Sequence, residues 1–169
     1  MFANKPKVGI ILASHIREPS SFSLNLLKKG IELLKDKDIE VYFNGKPLTN
    51  DKEIREEIIN LKKKDLDTYI IVPGNWVEPP TLCHPLEEIR NGNILLWGFP
   101  ESLKLIRQGH FLGSNSAFTI LRNAMGQMGF KFRAIQKFPG GSKAIEEIHN
   151  FISASHVSRL MRRIKLGLV

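Results

Sequence analysis

Two side chains that could bind a ligand each follow the end of an apolar run. Arg17 comes after the run Lys7 to Ala13, and Trp76 comes after the run 69–72. A guanidinium donates forked hydrogen bonds to hydroxyl or carboxylate groups, and an indole offers an apolar face to a sugar ring or an aromatic ligand. Residue types alone leave a second interpretation open, in which Arg17 pairs with Glu18 or with solvent and Trp76 covers the core.

The segment that carries Trp76 also holds the only cysteine. Residues 73–85 contain four prolines and a glycine, which predicts a long ordered loop after a parallel strand. Cys83 beside His84 suggests a thiolate nucleophile. Adjacent side chains seldom point at one another, however, and no acid is placed to orient the histidine, so we predict no catalytic residue here.

Metal and phosphate sites have no signature in this sequence. The five histidines lack the spacing of a metal-ligand set, and no pair of carboxylates stands out. Neither GxGxxG nor GxxxxGK[ST] occurs, and the segment after the first strand, SHIREPSS, has no glycine. A phosphate cradle of the nucleotide-binding type is therefore not expected.

The elements that must position Arg17 and Trp76 alternate between strand and helix. This alternation predicts a parallel sheet with helices on both faces, in the common strand order 2-1-3-4-5. The first and third strands are then neighbours whose helices leave on opposite faces, which is where such sheets bind ligands. We expect the two side chains to share that crevice, about 10–15 Å apart. The predicted strands are 7–13, 39–43, 69–72, 94–97 and 131–136, and the predicted helices are 24–34, 51–64, 85–90, 111–129 and 142–165.

Bulk composition indicates one domain of ordinary character. The chain has 169 residues, 42% of them hydrophobic, and no apolar run long enough to cross a membrane. The N-terminus lacks the layout of a secretory signal, and a single cysteine favours a reduced, cytoplasmic protein. The net charge of +8 is spread along the chain without a nucleic-acid motif, so we expect no nucleic-acid partner.

The last residues predict that the chain continues. Residues 165–169, KLGLV, resemble the start of a sixth strand. We therefore expect residues 1–164 to form an N-terminal domain and residues 165–169 to begin a following segment.

Five stretches together resemble the N-terminal domain of the L-fucose isomerase and L-arabinose isomerase superfamily. Their order and spacing match that family across nearly the whole chain, and the strand, loop and tryptophan followed by LWG are the most specific part. The stretches are VGIILASHIRE, YIIVPGNWVEPPTL, ILLWGFPE, GSNSAFTILRNAMGQMGFKFRAI and RLMRRIKLGLV.

The resemblance implies a flavodoxin-like α/β fold and a role in a metal-dependent aldose–ketose isomerase that works as an oligomer. Manganese and the catalytic carboxylates would lie in later domains, so no cofactor is expected in this chain. The first domain would lend an arginine and a tryptophan to a neighbouring subunit's active site, here Arg17 and Trp76. The fucose branch has Asp-Gly-Arg-Arg where this sequence has His15, Ile16, Arg17 and Glu18, so the sugar is not specified.

Two functions follow as expectations. The first is a substrate-capping and oligomerisation domain of a sugar isomerase, with a sugar substrate and the remaining domains as partners. The second is a stand-alone sugar-binding or interaction module without catalysis. In either case we expect the chain by itself to catalyse no isomerisation.

Overall fold

Five parallel strands form one sheet in the order β2-β1-β3-β4-β5, as the sequence predicted. The computed structural model describes residues 5–15, 21–109 and 116–163. With helices on both faces, these residues adopt a three-layer, flavodoxin-like α/β/α fold. The strands are β1 (Lys7–Ala13), β2 (Glu40–Phe43), β3 (Thr68–Pro73), β4 (Ile94–Gly98) and β5 (Phe132–Gln136).

Helices cover both faces of the sheet in the described ranges, and one short helix, Leu103–Arg107, has no buried residue. Apolar residues of α1 and α6 pack with one set of strand residues, and those of α2, α3 and α5 pack with the other. None of the helices in the described ranges is long and apolar enough to cross a lipid bilayer. The helices are α1 (Ser21–Lys35), α2 (Asp51–Lys62), α3 (Pro79–Leu86), α4 (Leu103–Arg107), α5 (Ser116–Gln127) and α6 (Ser142–Arg162).

Burial of the strands follows their position in the sheet. Every residue of β3 and β4 is buried, because both faces of these central strands are covered. Residues 131–136 alternate between polar and apolar types, which predicts a half-exposed edge strand. The structure confirms this, since β5 lies at the sheet edge and only its Ile135 is buried. Residues alternate between the two cores, so that Ile10 and Ile11 of β1 lie on opposite faces.

The predicted loop 73–85 is wrong in its second half, which forms α3. Pro79 and Pro80 occupy the first two helical positions, where a missing N–H removes no helical hydrogen bond. The predicted helix 85–90 is instead the end of α3 followed by a 3-10 turn, Glu87–Ile89. Pro79 and Pro80, which the sequence pattern assigned to a loop, therefore start a helix.

The sequence predicts that one face of α6 packs inward through Ile145, Ile148, Ile152, Val157 and Leu160. This prediction is wrong at the C-terminal end of the helix. Ile145, Ile148 and Ile152 are buried, but Val157 and Leu160 are 52% and 42% exposed. The inward stripe continues through polar residues at helical spacing, Ser155 and His156, which are buried instead. The predicted strand 165–169 lies outside the described residues.

A buried carboxylate at the amino end of β3 explains this polar stripe. The Asp67 side chain is fully buried and accepts hydrogen bonds from Lys7 N (2.7 Å) and Arg159 Nε (2.5 Å). His156 Nδ1 lies 3.1 Å from Asp67 Oδ1, an ion pair when the imidazole is protonated, although the pair lacks hydrogen-bond geometry. Asp67 thus ties α6 and β1 to β3.

We predict that Asp67→Asn lowers the free energy of unfolding by about 3 kcal/mol, because Arg159 loses its buried counter-charge. Asp38→Asn is the matched control, since the Asp38 side chain is 74% exposed and pairs with the exposed Lys5 at the surface. It should cost less than about 1 kcal/mol. Urea titrations of both variants measure the difference, and equal losses would contradict the role given to Asp67.

Candidate functional site

The carboxyl ends of β1 and β3 are joined side by side. Ala13 pairs with Pro73 in the parallel register, and Gly74 N donates to Ala13 O at 2.7 Å. One step further, His15 N donates to the buried Asn75 Oδ1 at 2.6 Å. Because α1 and α3 lie on opposite faces of the sheet, this is the predicted point where a ligand crevice opens.

Gly74 is tightly surrounded where these two strands end. A Cβ at this position would lie 2.9 Å from both Leu12 Cδ1 and Ser23 Oγ, closer than packed atoms allow. The close approach lets the chain leave β3 directly over the end of β1. The loop that follows is therefore short, and α3 begins at Pro79.

Trp76 is half-buried in this short loop. Its neighbours Asn75 and Val77 are both buried, at 1% and 3% exposure, so the backbone on each side is anchored while the indole stays partly exposed. This placement excludes an indole fully buried in the core. It leaves part of the ring surface open to a ligand or to another protein surface.

Arg17 lies outside the described residues, within the undescribed stretch 16–20. The expected separation of about 10–15 Å between Arg17 and Trp76 therefore stays a prediction.

A cleft of about 140 Å³ lies beside this loop, and sequence reasoning missed it. Thr49 reaches it because the segment before α2 runs along β1: Leu48 N donates to Leu12 O, and Ser14 N donates to Leu48 O. No sequence pattern brings Thr49 to β1, although the position of Ser14 directly after a buried strand was a signal that could have been used. We call this cleft the Ser14 cleft; its lining residues are Ser14, His15, Thr49, Val77, Glu78 and Thr81.

Thr49 is held at the Ser14 cleft by the start of α2. Its backbone N–H donates to Glu53 Oε2 at 2.9 Å, and the N-cap Asn50 accepts from Glu53 N. The hydrogen bond from Thr49 N–H is the main reason that the pKa of Glu53 lies below its ordinary value. This reciprocal capping fixes one wall of the cleft.

Ser14 is the unusual residue of the cleft. It is 2% exposed, and its Oγ has no hydrogen-bond partner within residues 5–15, 21–109 and 116–163. A buried hydroxyl without a partner destabilises the folded chain. Asn75, buried next to it, does have a partner in His15 N.

We predict that Ser14→Ala leaves the free energy of unfolding unchanged or raises it by up to about 1 kcal/mol, since the lost hydroxyl makes no hydrogen bond. The comparison variant is Asn75→Ala, which should cost about 2 kcal/mol because it leaves His15 N–H without this acceptor. Chemical denaturation measures both, and a clear loss in Ser14→Ala would mean that the hydroxyl is satisfied.

Cys83 lies on the buried face of α3 and is 1% exposed. Burial, with a smaller contribution from Glu87, raises the pKa of its thiol to about 11. A thiol nucleophile needs a lowered pKa. The structure therefore favours a packing role for Cys83 over the hypothesis that Cys83 and His84 form a thiolate nucleophile.

We predict that iodoacetamide alkylates Cys83 at about pH 8 at least about 100-fold more slowly in the folded chain than in guanidinium chloride. With a raised pKa the thiol stays protonated below about pH 11, whereas an unfolded thiol with a pKa of about 8.5 is partly thiolate. Mass spectrometry of the single cysteine measures both rates. Comparable rates would show a reactive thiolate in the folded chain.

Comparison with known proteins identifies no family. No protein-family model matches the chain, and no curated protein sequence matches it. Solved structures share its general outline at low identity. The lysine decarboxylase LdcF of Francisella novicida is 12% identical with a TM-score of 0.49, over 88% of this chain but only 17% of the decarboxylase chain.

Two other solved structures are similar over most of both chains. RosB, solved with a bound 8-demethyl-8-formylriboflavin-5'-phosphate intermediate, is 15% identical with a TM-score of 0.39, covering 93% of this chain and 80% of RosB. A ribose 5-phosphate isomerase of Thermotoga maritima is 13% identical with a TM-score of 0.32, covering 88% and 98%. Similarity this low assigns no function to the chain.

Proposed function

We propose that this chain is the N-terminal substrate-capping and oligomerisation domain of a metal-dependent aldose–ketose sugar isomerase. It would assemble as a homo-oligomer and lend Arg17 and Trp76 to a neighbouring subunit's active site. The observation that carries the proposal is Trp76, half-buried at the carboxyl end of β3 between two buried residues. The sequence resemblance supplies the substrate class, a sugar.

In this proposal Trp76 packs its indole against the sugar ring, and Arg17 donates hydrogen bonds to the sugar hydroxyls. An anchored backbone with a partly exposed ring suits such a contact, because little side-chain freedom is lost on binding. The single buried thiol, Cys83, fits a reducing compartment, and we assign the protein to the cytoplasm.

Metal chemistry would come from other domains of the enzyme. In the described ranges, no group of three or more His, Cys, Asp or Glu side chains is placed to hold a metal ion. Manganese, which the resemblance implies for the whole enzyme, would activate the substrate there, and this domain would bind and orient the sugar and exclude water.

A stand-alone sugar-binding module is the second candidate. The Ser14 cleft favours it, since three hydroxyl-bearing side chains, those of Ser14, Thr49 and Thr81, line one cleft beside the loop that carries Trp76. The coding DNA downstream of Val169 separates the two candidates: an open frame that encodes carboxylate-rich domains supports the isomerase, and a stop codon supports the module.

We predict that the purified 169-residue chain converts neither L-fucose nor L-arabinose to its ketose, with or without added Mn²⁺, because the described residues provide no metal-ligand group. A ketose-specific colorimetric assay measures this. Turnover above background that co-purifies with the chain would contradict the assignment of the chemistry to other domains.

We predict that L-fucose or L-arabinose changes the tryptophan emission through Trp76. Trp97, the other tryptophan, is fully buried and donates from Nε1 to Lys137 O, so it is shielded from added sugar. Trp76→Phe should keep the fold and abolish the change. A saturable change that survives in Trp76→Phe, or no change in the native chain, would remove Trp76 from the binding surface.

A further inference from the structure

The Ser14 cleft contains a polar group that no described residue of the protein satisfies. Ser14 lines the cleft, and its buried Oγ has no hydrogen-bond partner among those residues. Buried hydroxyls normally have one, so a molecule that enters the cleft and reaches Ser14 would supply what the folded chain lacks.

The volume of the cleft limits the size of that molecule. At about 140 Å³ the cleft is smaller than the roughly 300–1,000 Å³ of a whole small-molecule site. It has room for one end of a ligand, such as two or three carbons with their hydroxyls. It also has room for roughly four water molecules at about 30 Å³ each, and water is therefore the competing occupant.

The chemistry of the lining selects a neutral ligand. Glu78 contributes a carboxylate that repels an anion, and none of the lining residues within the described ranges is a lysine or arginine that would offset it. A single carboxylate is too few for a metal cation, which takes several oxygen or nitrogen ligands. Three side chains in the lining, those of Ser14, Thr49 and Thr81, carry hydroxyls that both donate and accept.

We propose that the Ser14 cleft binds the hydroxyl-bearing end of a neutral polyol, with Ser14 Oγ as the hydrogen-bond partner of one ligand hydroxyl. A ligand hydroxyl can donate to Glu78 and accept from Ser14, which matches the mixed lining. The ligand class rests on the proposed function, because the cleft lies at the same edge of the sheet as Trp76. Ser14 becomes a positioning contact that holds one end of the sugar while the indole covers its ring.

The test is a titration of the ¹⁵N-labelled chain followed by amide NMR, with L-arabinitol as the neutral probe and inorganic phosphate as the anionic probe. We expect saturable shifts of the Ser14, His15 and Thr81 amides with L-arabinitol and none with phosphate. Ser14→Ala should weaken L-arabinitol binding at least tenfold. Ser102→Ala is the matched control, since Ser102 is exposed at the start of α4 and should leave binding unchanged.

Three outcomes would overturn the proposal: no saturable shift, which leaves water as the occupant; equal affinity in Ser14→Ala; or phosphate binding at the same amides. The Trp76 indole N–H resonance separates this proposal from the proposed function. Shifts at Ser14 with a stationary Trp76 indole would support the cleft and reject the stacking role. Shifts at Trp76 alone would reject the cleft and keep that role.

Discussion

The parallel pairing of β1 with β3 is the constraint on which the rest of the molecule depends. Six residues of β1 pair in register with β3, from Val8 opposite Thr68 to Ala13 opposite Pro73. The helix that follows β1 packs on one face of the sheet, and the helix that follows β3 packs on the other. The two segments therefore separate at the carboxyl ends of these strands. Ser14, Asn75 and Trp76 all follow from this arrangement, because each comes within three residues of a strand end.

The two ends of this strand pair differ in the polar groups that they hold and in how those groups are paired. At the amino end, Asp67 is a buried charge compensated by Arg159 and the Lys7 N–H, which fixes α6 against the sheet. At the carboxyl end, the backbone is equally well anchored through His15 N and Asn75. There, however, an indole stays partly exposed and a buried hydroxyl stays unpaired. Buried polar atoms without a hydrogen-bond partner among the described residues occur at both ends, namely Thr68 Oγ1 and His156 Nδ1 at the amino end and Ser14 Oγ at the carboxyl end. The carboxyl end differs in that its unpaired hydroxyl lines a cleft, at the edge of the sheet where open α/β sheets bind ligands.

Several of the chain's basic side chains form ion pairs that connect elements of the fold. Arg159 and Arg163 pair with Asp65 and Asp67, and Arg55 pairs with Glu88 between α2 and the turn after α3. Lys137 and Arg133 share Glu147 of α6. Several cations thus connect elements of the fold, in keeping with the scattered distribution along the sequence.

Strand order, layer assignment and the position of Trp76 were predictable from sequence, because they depend on local hydrophobic periodicity and on the handedness of parallel connections. The helical start at Pro79, the polar stripe of α6 and the arrival of Thr49 beside Ser14 were not. The last two depend on contacts between residues that are distant in sequence. Arg159 and His156 face inward because they contact Asp67, and Thr49 lies beside β1 because Leu48 is hydrogen-bonded to that strand. The hydrophobic periodicity of each helix and strand can be seen in a single sequence. Contacts between side chains dozens of residues apart, in contrast, form only when the sheet has assembled. The tertiary structure alone therefore decided which polar groups were paired and left the Ser14 hydroxyl without a partner among the residues that the structure describes.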